Sequence, residues 1–212
     1  MALALGIGAN TAIFSVVNAV FLRPLPYPEA ERLVELSETS GQSLVSVSYP
    51  NYLDWRSQVD VFEGLTAHAP YDATLEVSGS AERLPVYYVS ADFLRVLRTK
   101  PRLGRDFNQQ DDQPGAAPCA ILTHRLWQTR FGSNPAVLGS TISLDRRAYT
   151  VIGVPAPEYR LYRGGDILVP ISDAVSRQTL NLRENHNKSL RTGAPEAGRH
   201  AATGTGPDEY HR

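Results

Sequence analysis

From Ala2 to Leu22 the chain carries no charged residue, and the first base, Arg23, is followed by prolines at 24, 26 and 28. No other feature constrains the fold so strongly. At about 1.5 Å per residue, a helix over this stretch is roughly 31 Å long, the thickness of a bilayer's hydrocarbon core. A secretion signal should carry a basic region ahead of its apolar part, and here only Met1 precedes it. A helix buried in a soluble domain is the other competing reading. Composition favours a membrane span with protein neighbours. Ala4, Gly8, Ala12, Ser15 and Ala19 place small residues along one helix face, where they let a second helix approach closely. Asn10, Thr11 and Asn18 are costly toward lipid and should turn to protein. Arg23 and the prolines end the helix and send an extended chain outward. With so little sequence ahead of the span, charge counting gives no orientation, and we expect a fragment whose natural start lies upstream.

Beyond Pro28 the pattern mixes strand and helix. Leu33, Val34 and Leu36 mark a short strand, and Val45, Val47 and Tyr49 alternate with Ser46 and Ser48. Ser48 is placed to cap a helix over YPNYLDWRSQ, with Pro50 in its first turn. Gly64 to Ser78 reads as a strand interrupted at Pro70, and ERLPVYYVS as another, with Ser90 capping a helix over ADFLRVLR. LGRDFNQQDDQPGAAP reads as a loop, CAIL as a buried strand, and HRLWQTRF as a helix capped by Thr123 and stopped by Gly132. Leu126, Trp127 and Phe131 should face inward, with Arg125 and Arg130 outward. A hairpin, STISLD and RAYTVIGV, turns at Asp145-Arg146, and DILVP adds a final strand. Elements in this order predict an α+β domain rather than a regular βαβ array.

The chemistry is sparse. Charge is nearly balanced, with 21 Lys+Arg against 22 Asp+Glu, which gives no electrostatic case for nucleic acid. There is no G-x-x-x-x-G-K-[ST], G-x-S-x-G or H-E-x-x-H, so the residues offer no catalytic constellation and no site for ATP. Cys119 stands alone and reads as a small core residue. His68 and His124 have no metal-spaced partners; His186, His200 and His211 lie in or beside the C-terminal tail. Asp106, Asp111 and Asp112 cluster in the loop but lack the alternating ligands, glycine and closing glutamate of a calcium site, which favours a solvated turn. Arg102 and Arg105 flank Gly104, and a salt bridge within the loop is the expected role. Tyr87-Tyr88 and Tyr159/Tyr162 read as strand and surface aromatics. We expect no catalytic, cofactor or metal residues.

A family resemblance emerges from several stretches in order. LALGIGANTAIFSVVNAVFLRPLPYPEAERLV resembles the first transmembrane helix and exit of ABC transporter permeases of the MacB-like type, especially the large acidobacterial-type group. VSYPNYLDWR, FEGL, VSADFLRVL, PRLGRDF, ILTHRLWQTRFGSNPAVLG and LDRRAYTVIGV continue it across residues 2 to 172. The resemblance implies a span at 1–23 and the first part of an α+β periplasmic core domain at 24–175. It further implies an inner-membrane location, other permease helices or a second permease copy as partners, and a separate ATPase subunit that binds ATP. Transport or lipoprotein handling would be the task. After Asn187 the chain departs from the family pattern, and we take 176–212 as a tail. KSLRTGAPEAGRHAATGTGPDEYHR is polar and without period, reads as frameshifted sequence, and is expected to be disordered. Two alternatives remain: a secreted or membrane-tethered extracytoplasmic binding module, and a metal-dependent hydrolase built on Asp106, Asp111 and Asp112.

Overall fold

The computed structural model describes residues 27–40, 43–58, 62–77, 79–159, 164–176 and 193–195. Ala2–Leu22 lies outside them, together with its expected packing face and Asn10, Thr11 and Asn18. Among the described residues no helix is long and apolar enough to cross a membrane.

The chain first makes a 3-10 turn, Ala30–Arg32, and a small hairpin, β1 (Glu38–Ser40) and β2 (Ser43–Val45). Helix α1 (Tyr49–Gln58) begins where Ser48 predicts, with the Asn51 amide donating to Ser48 Oγ at 3.4 Å. Glu38 Oε1 accepts from Asn51 Nδ2 at 2.8 Å and ties the hairpin to this helix. Strand β3 (Phe62–Leu65) leads into the long pair β4 (His68–Val77) and β5 (Ser80–Val89), then one turn of helix, α2 (Phe93–Val96). Next come β6 (Pro101–Gly104), β7 (Cys119–Leu122), α3 (His124–Phe131), β8 (Thr141–Leu144), β9 (Arg147–Pro155), β10 (Ile167–Pro170), α4 (Ile171–Ser176) and β11 (Gly193–Pro195).

Seven strands form one mixed sheet in the order β6-β9-β7-β10-β5-β4-β8. Two neighbours are parallel, β10 with β5 and β7 with β9; the rest are antiparallel. Because β8 pairs with both β4 and β9, six of these strands close on themselves. The β4–β8 seam is short, Leu75 opposite Leu144 and Glu76 opposite Ser143. Asp145 lengthens it: its carboxylate accepts from the Thr74 amide at 2.8 Å, and its own amide donates to the Thr74 carbonyl at 3.0 Å. Asp145 and Arg146 both have positive φ, 49° and 65°, as a two-residue hairpin turn requires.

Period-two alternation divides the core between the two faces. Leu84, Val86 and Tyr88 of β5 join Ala120, Leu122, Ile142, Val151 and Ile167 in one cluster, sealed by Leu126 and Trp127 of α3. Tyr87 and Val89 join Cys119, Ile121 and Leu168 in the other, where Phe93, Leu94, Leu97, Phe107 and Tyr159 cover them. Helix α3 has both predicted ends: Thr123 accepts from the Leu126 amide, and Gly132 closes the last turn in the left-handed region.

Three expectations need correction. Pro70 does not interrupt its strand: β4 runs through it opposite Tyr87, and around Pro70 β5 is its one neighbour among the described residues. An edge is where a strand tolerates proline. Ser90 does not cap α2 through its side chain; buried, it pairs with Thr66 Oγ1 at 2.6 Å and accepts from the Ala67 amide at 3.0 Å. The loop reading from Leu103 loses Leu103 and Gly104 to β6, whose pairing with β9 is non-local. In the tail, Gly193–Pro195 pairs antiparallel with β3; 177–192 and 196–212 lie outside the described residues.

Candidate functional site

The acidic loop was the sequence's best offer of chemistry, and the structure uses it as a brace. Asp111 forms a two-pronged pair with Arg105, at 2.5 and 2.9 Å, and the Arg105 guanidinium holds its carboxyl below the usual range. Asp112 accepts from the Ala91 amide at 3.0 Å and the Ser172 amide at 2.9 Å. One carboxylate thus joins the end of β5 to the start of α4. Burial still pushes the Asp112 carboxyl upward, and it pushes Asp106 up to about 6. Cys119 is buried, and its thiol is raised to about 12 by the same cause, far from a reactive thiolate at neutral pH. Asp111 and Asp112 are therefore engaged by protein partners, where the sequence suggested a solvated turn. Among the described residues no group of three or more His, Cys, Asp and Glu is placed to hold a metal ion. A cavity of about 20 Å³ lies between Ala116–Pro118, Arg147, Tyr149 and Ser172–Asp173. That is room for a water molecule, not for an organic substrate. Beside it the Tyr149 hydroxyl donates to the buried Asp173 carboxylate at 2.6 Å, and Arg147 pairs with the same group at 2.5 Å.

The other distinctive constellation lies where the incoming chain meets the domain. Tyr27 packs its ring against Tyr159, centroids 6.2 Å apart, and with Leu33 rests on the second core cluster. Tyr159 is itself buried, contrary to its reading as a surface aromatic, and burial raises its hydroxyl well above the ordinary value. Between these two contacts the chain turns sharply at Glu29, whose φ is 53°. Glu29 pairs with Arg32 at 2.8 Å and with Arg98 at 2.7 Å; Glu63 pairs with Arg32 at 3.2 Å and with Arg98 at 2.9 Å. Each acid touches both bases, so the four side chains close a square of alternating charge. Hydrogen bonding from Arg32 holds the Glu63 carboxyl below its ordinary range, and Glu29 and Glu63 together hold Arg32 in its charged form.

Local structure explains why these four meet. Glu63 lies on the exposed face of β3, and its neighbour Gly64 lets that strand approach α2 closely: a Cβ there would stand 2.9 Å from Val96 Cγ2. Arg98 follows α2 in the left-handed region, φ 52°. The same strand, β3, also pairs with β11. Segments 27–33 and 193–195 therefore converge on Phe62–Leu65. None of the four charged residues was singled out from sequence. Only Glu29 and Arg32, three apart, carry a local signal; Glu63 and Arg98 are brought in by the fold.

No protein of curated function matches the chain. Solved structures do. It resembles the periplasmic region of MacB from Actinobacillus actinomycetemcomitans, with TM-score 0.61, 14% identity, and coverage of 80% of this chain and 76% of that one. It resembles the extracellular domain of the noncanonic ABC-type transporter YknZ from Gram-positive bacteria, with TM-score 0.59, 15% identity and coverage of 78% and 84%. A domain described as a permease from Porphyromonas gingivalis gives TM-score 0.65 at 16% identity, covering 82% and 79%. At such identities these likenesses establish the fold alone: this chain shares its mixed α+β core with these domains. The sequence profile of the MacB-like periplasmic core domain matches residues 1–196, and the chain belongs to that family.

Proposed function

We propose that this chain works as a permease subunit of an ABC-type export or mechanotransmission system. Ala2–Leu22 spans the inner membrane and packs its small-residue face, Ala4, Gly8, Ala12, Ser15 and Ala19, against other permease helices or a second permease copy. The domain stands outside, and ATP is bound and hydrolysed by a separate subunit. Family membership supports a transporter subunit with an extracytoplasmic domain. The observation that carries the coupling role is the convergence of the incoming segment and β11 on one strand, β3, with the incoming segment fastened by packing and by ion pairs. A domain joined to membrane helices at one end needs that arrangement if helix motion is to move it as a body.

The test is reconstitution of the full chain in phospholipid vesicles. The chain should remain in the bilayer through alkaline carbonate extraction and hydrolyse no ATP by itself. Release by carbonate, or ATP hydrolysis by the purified chain, contradicts the reading.

A further inference from the structure

We propose that the square formed by Glu29, Arg32, Glu63 and Arg98 is an ion-pair clasp that makes the incoming segment ride with β3 and α2, so that movement of the preceding helix is passed into the domain. This rests on the coupling role proposed above and names the residues that carry it. Two of the four charges, Glu29 and Arg32, belong to the incoming segment; the other two, Glu63 and Arg98, belong to the domain. Two of the four contacts, Glu29–Arg98 and Arg32–Glu63, cross between these two parts. A segment held by Tyr27 and Leu33 alone could slide or swivel, because apolar contact is not directional. Paired guanidinium and carboxylate groups fix direction as well as distance. The backbone supports the same purpose: Glu29 and Arg98, joined at 2.7 Å, are both non-glycine residues held in the left-handed region. Such conformations persist where surrounding contacts over-determine them.

The alternation of charge supplies a test that separates clasp from general stability. Exchanging the domain pair, Glu63→Arg with Arg98→Glu, leaves net charge and each internal pair intact but sets like charges against each other across the junction. Exchanging all four, with Glu29→Arg and Arg32→Glu added, restores every attraction. Hydrogen exchange of the full chain in phospholipid nanodiscs reads the outcome at the Arg32 and Leu33 amides, which donate to Glu29 and Ala30. The two-residue exchange should speed these amides about tenfold, the scale expected for a small network of partly exposed pairs, and leave the β5 amides of Val86–Val89 unchanged. The four-residue exchange should bring them back to within about twofold of the parent. Protection in the parent should also fall as salt rises from about 0.05 to 0.5 M, since exposed pairs are screened. Unchanged exchange in the two-residue variant overturns the clasp and assigns the docking to Tyr27 and Leu33. Loss of protection in β5 that the four-residue variant fails to restore also overturns it. Carbonate extraction of the same preparations reports separately on the span: a chain that leaves the bilayer yet shows the predicted exchange pattern removes the membrane reading and keeps the clasp.

Discussion

Gly153 and Gly104 face each other across β6 and β9, and substitution at Gly153 isolates what their missing side chains allow. A Cβ on Gly153 would stand 2.3 Å from the Arg105 carbonyl oxygen, against an ordinary contact of about 3.5 Å. The obstacle is backbone, so the strand must move by about 1 Å. The Arg105 amide donates to the Ile152 carbonyl at 3.0 Å, and that bond is strained by the same movement. Over-packing costs about 1–3 kcal/mol and the weakened hydrogen bond about 1 kcal/mol. Gly153→Ala should therefore destabilise the domain by about 2–4 kcal/mol, or roughly 4–16 °C in Tm for a chain of this size. Gly139→Ala is the control. Gly139 has φ 77° but open space where its Cβ would be, so only backbone strain, about 1 kcal/mol, should be felt. Urea unfolding of the detergent-solubilised chain, followed by fluorescence of the buried Trp127, measures both. If Gly153→Ala costs no more than Gly139→Ala, close approach of β6 and β9 is not what the glycine is for.

Two further predictions concern the loop acids. Burial raises Asp106 from the ordinary 3.8 to about 6, so the folded chain holds this proton more tightly than the unfolded one; its contribution to stability is full below pH 3.8 and is lost as pH rises through about 6. At 1.36 kcal/mol per pH unit the full difference is about 3 kcal/mol, reduced to about 1–2 kcal/mol because solvent still reaches the carboxyl. Asp106→Asn should therefore gain about 1–2 kcal/mol over the parent at pH 8 and nothing at pH 3.5, as read by urea midpoints at the two pH values. Asp112→Ala leaves the Ala91 and Ser172 amides without the carboxylate they share, and it should cost about 2–3 kcal/mol in the same assay at pH 7.

What the sequence disclosed was local. Ser48, Thr123, Gly132 and the Asp145-Arg146 turn were legible because each acts on neighbours within a few residues. The stretches ERLPVYYVS, STISLD and RAYTVIGV were legible as the strands that became β5, β8 and β9. Closure of the sheet through β8 was not legible, since it depends on two pairs and an Asp145 contact about seventy residues apart in the chain. Pro70 and Ser90 misled for the same reason: a proline signals a break until the strand is known to be an edge, and a serine before a helix signals a cap until a nearer partner is known. Ser90 chose Thr66 and Ala67. The acids at 106, 111 and 112 read as solvent-facing because nothing in their spacing announces that Asp112 will reach two separate backbone amides. The Glu29–Arg32–Glu63–Arg98 square had half a signal, and the missing half lies on elements that only folding brings together. The family was legible throughout, because it rests on many ordered motifs rather than on one constellation.

The central claim is that the uncharged segment lies in the bilayer with the folded domain outside. Site-specific labelling in intact spheroplasts with a membrane-impermeant maleimide measures it most directly. Ser80 is exposed, and the native Cys119 is buried at 4% exposure, so Ser80→Cys reports on the domain and Ala2→Cys on the other end of the span. The cysteine introduced at position 80 should be labelled at once and the one at position 2 only after permeabilisation. Labelling of neither before permeabilisation, or of both together, contradicts the claim.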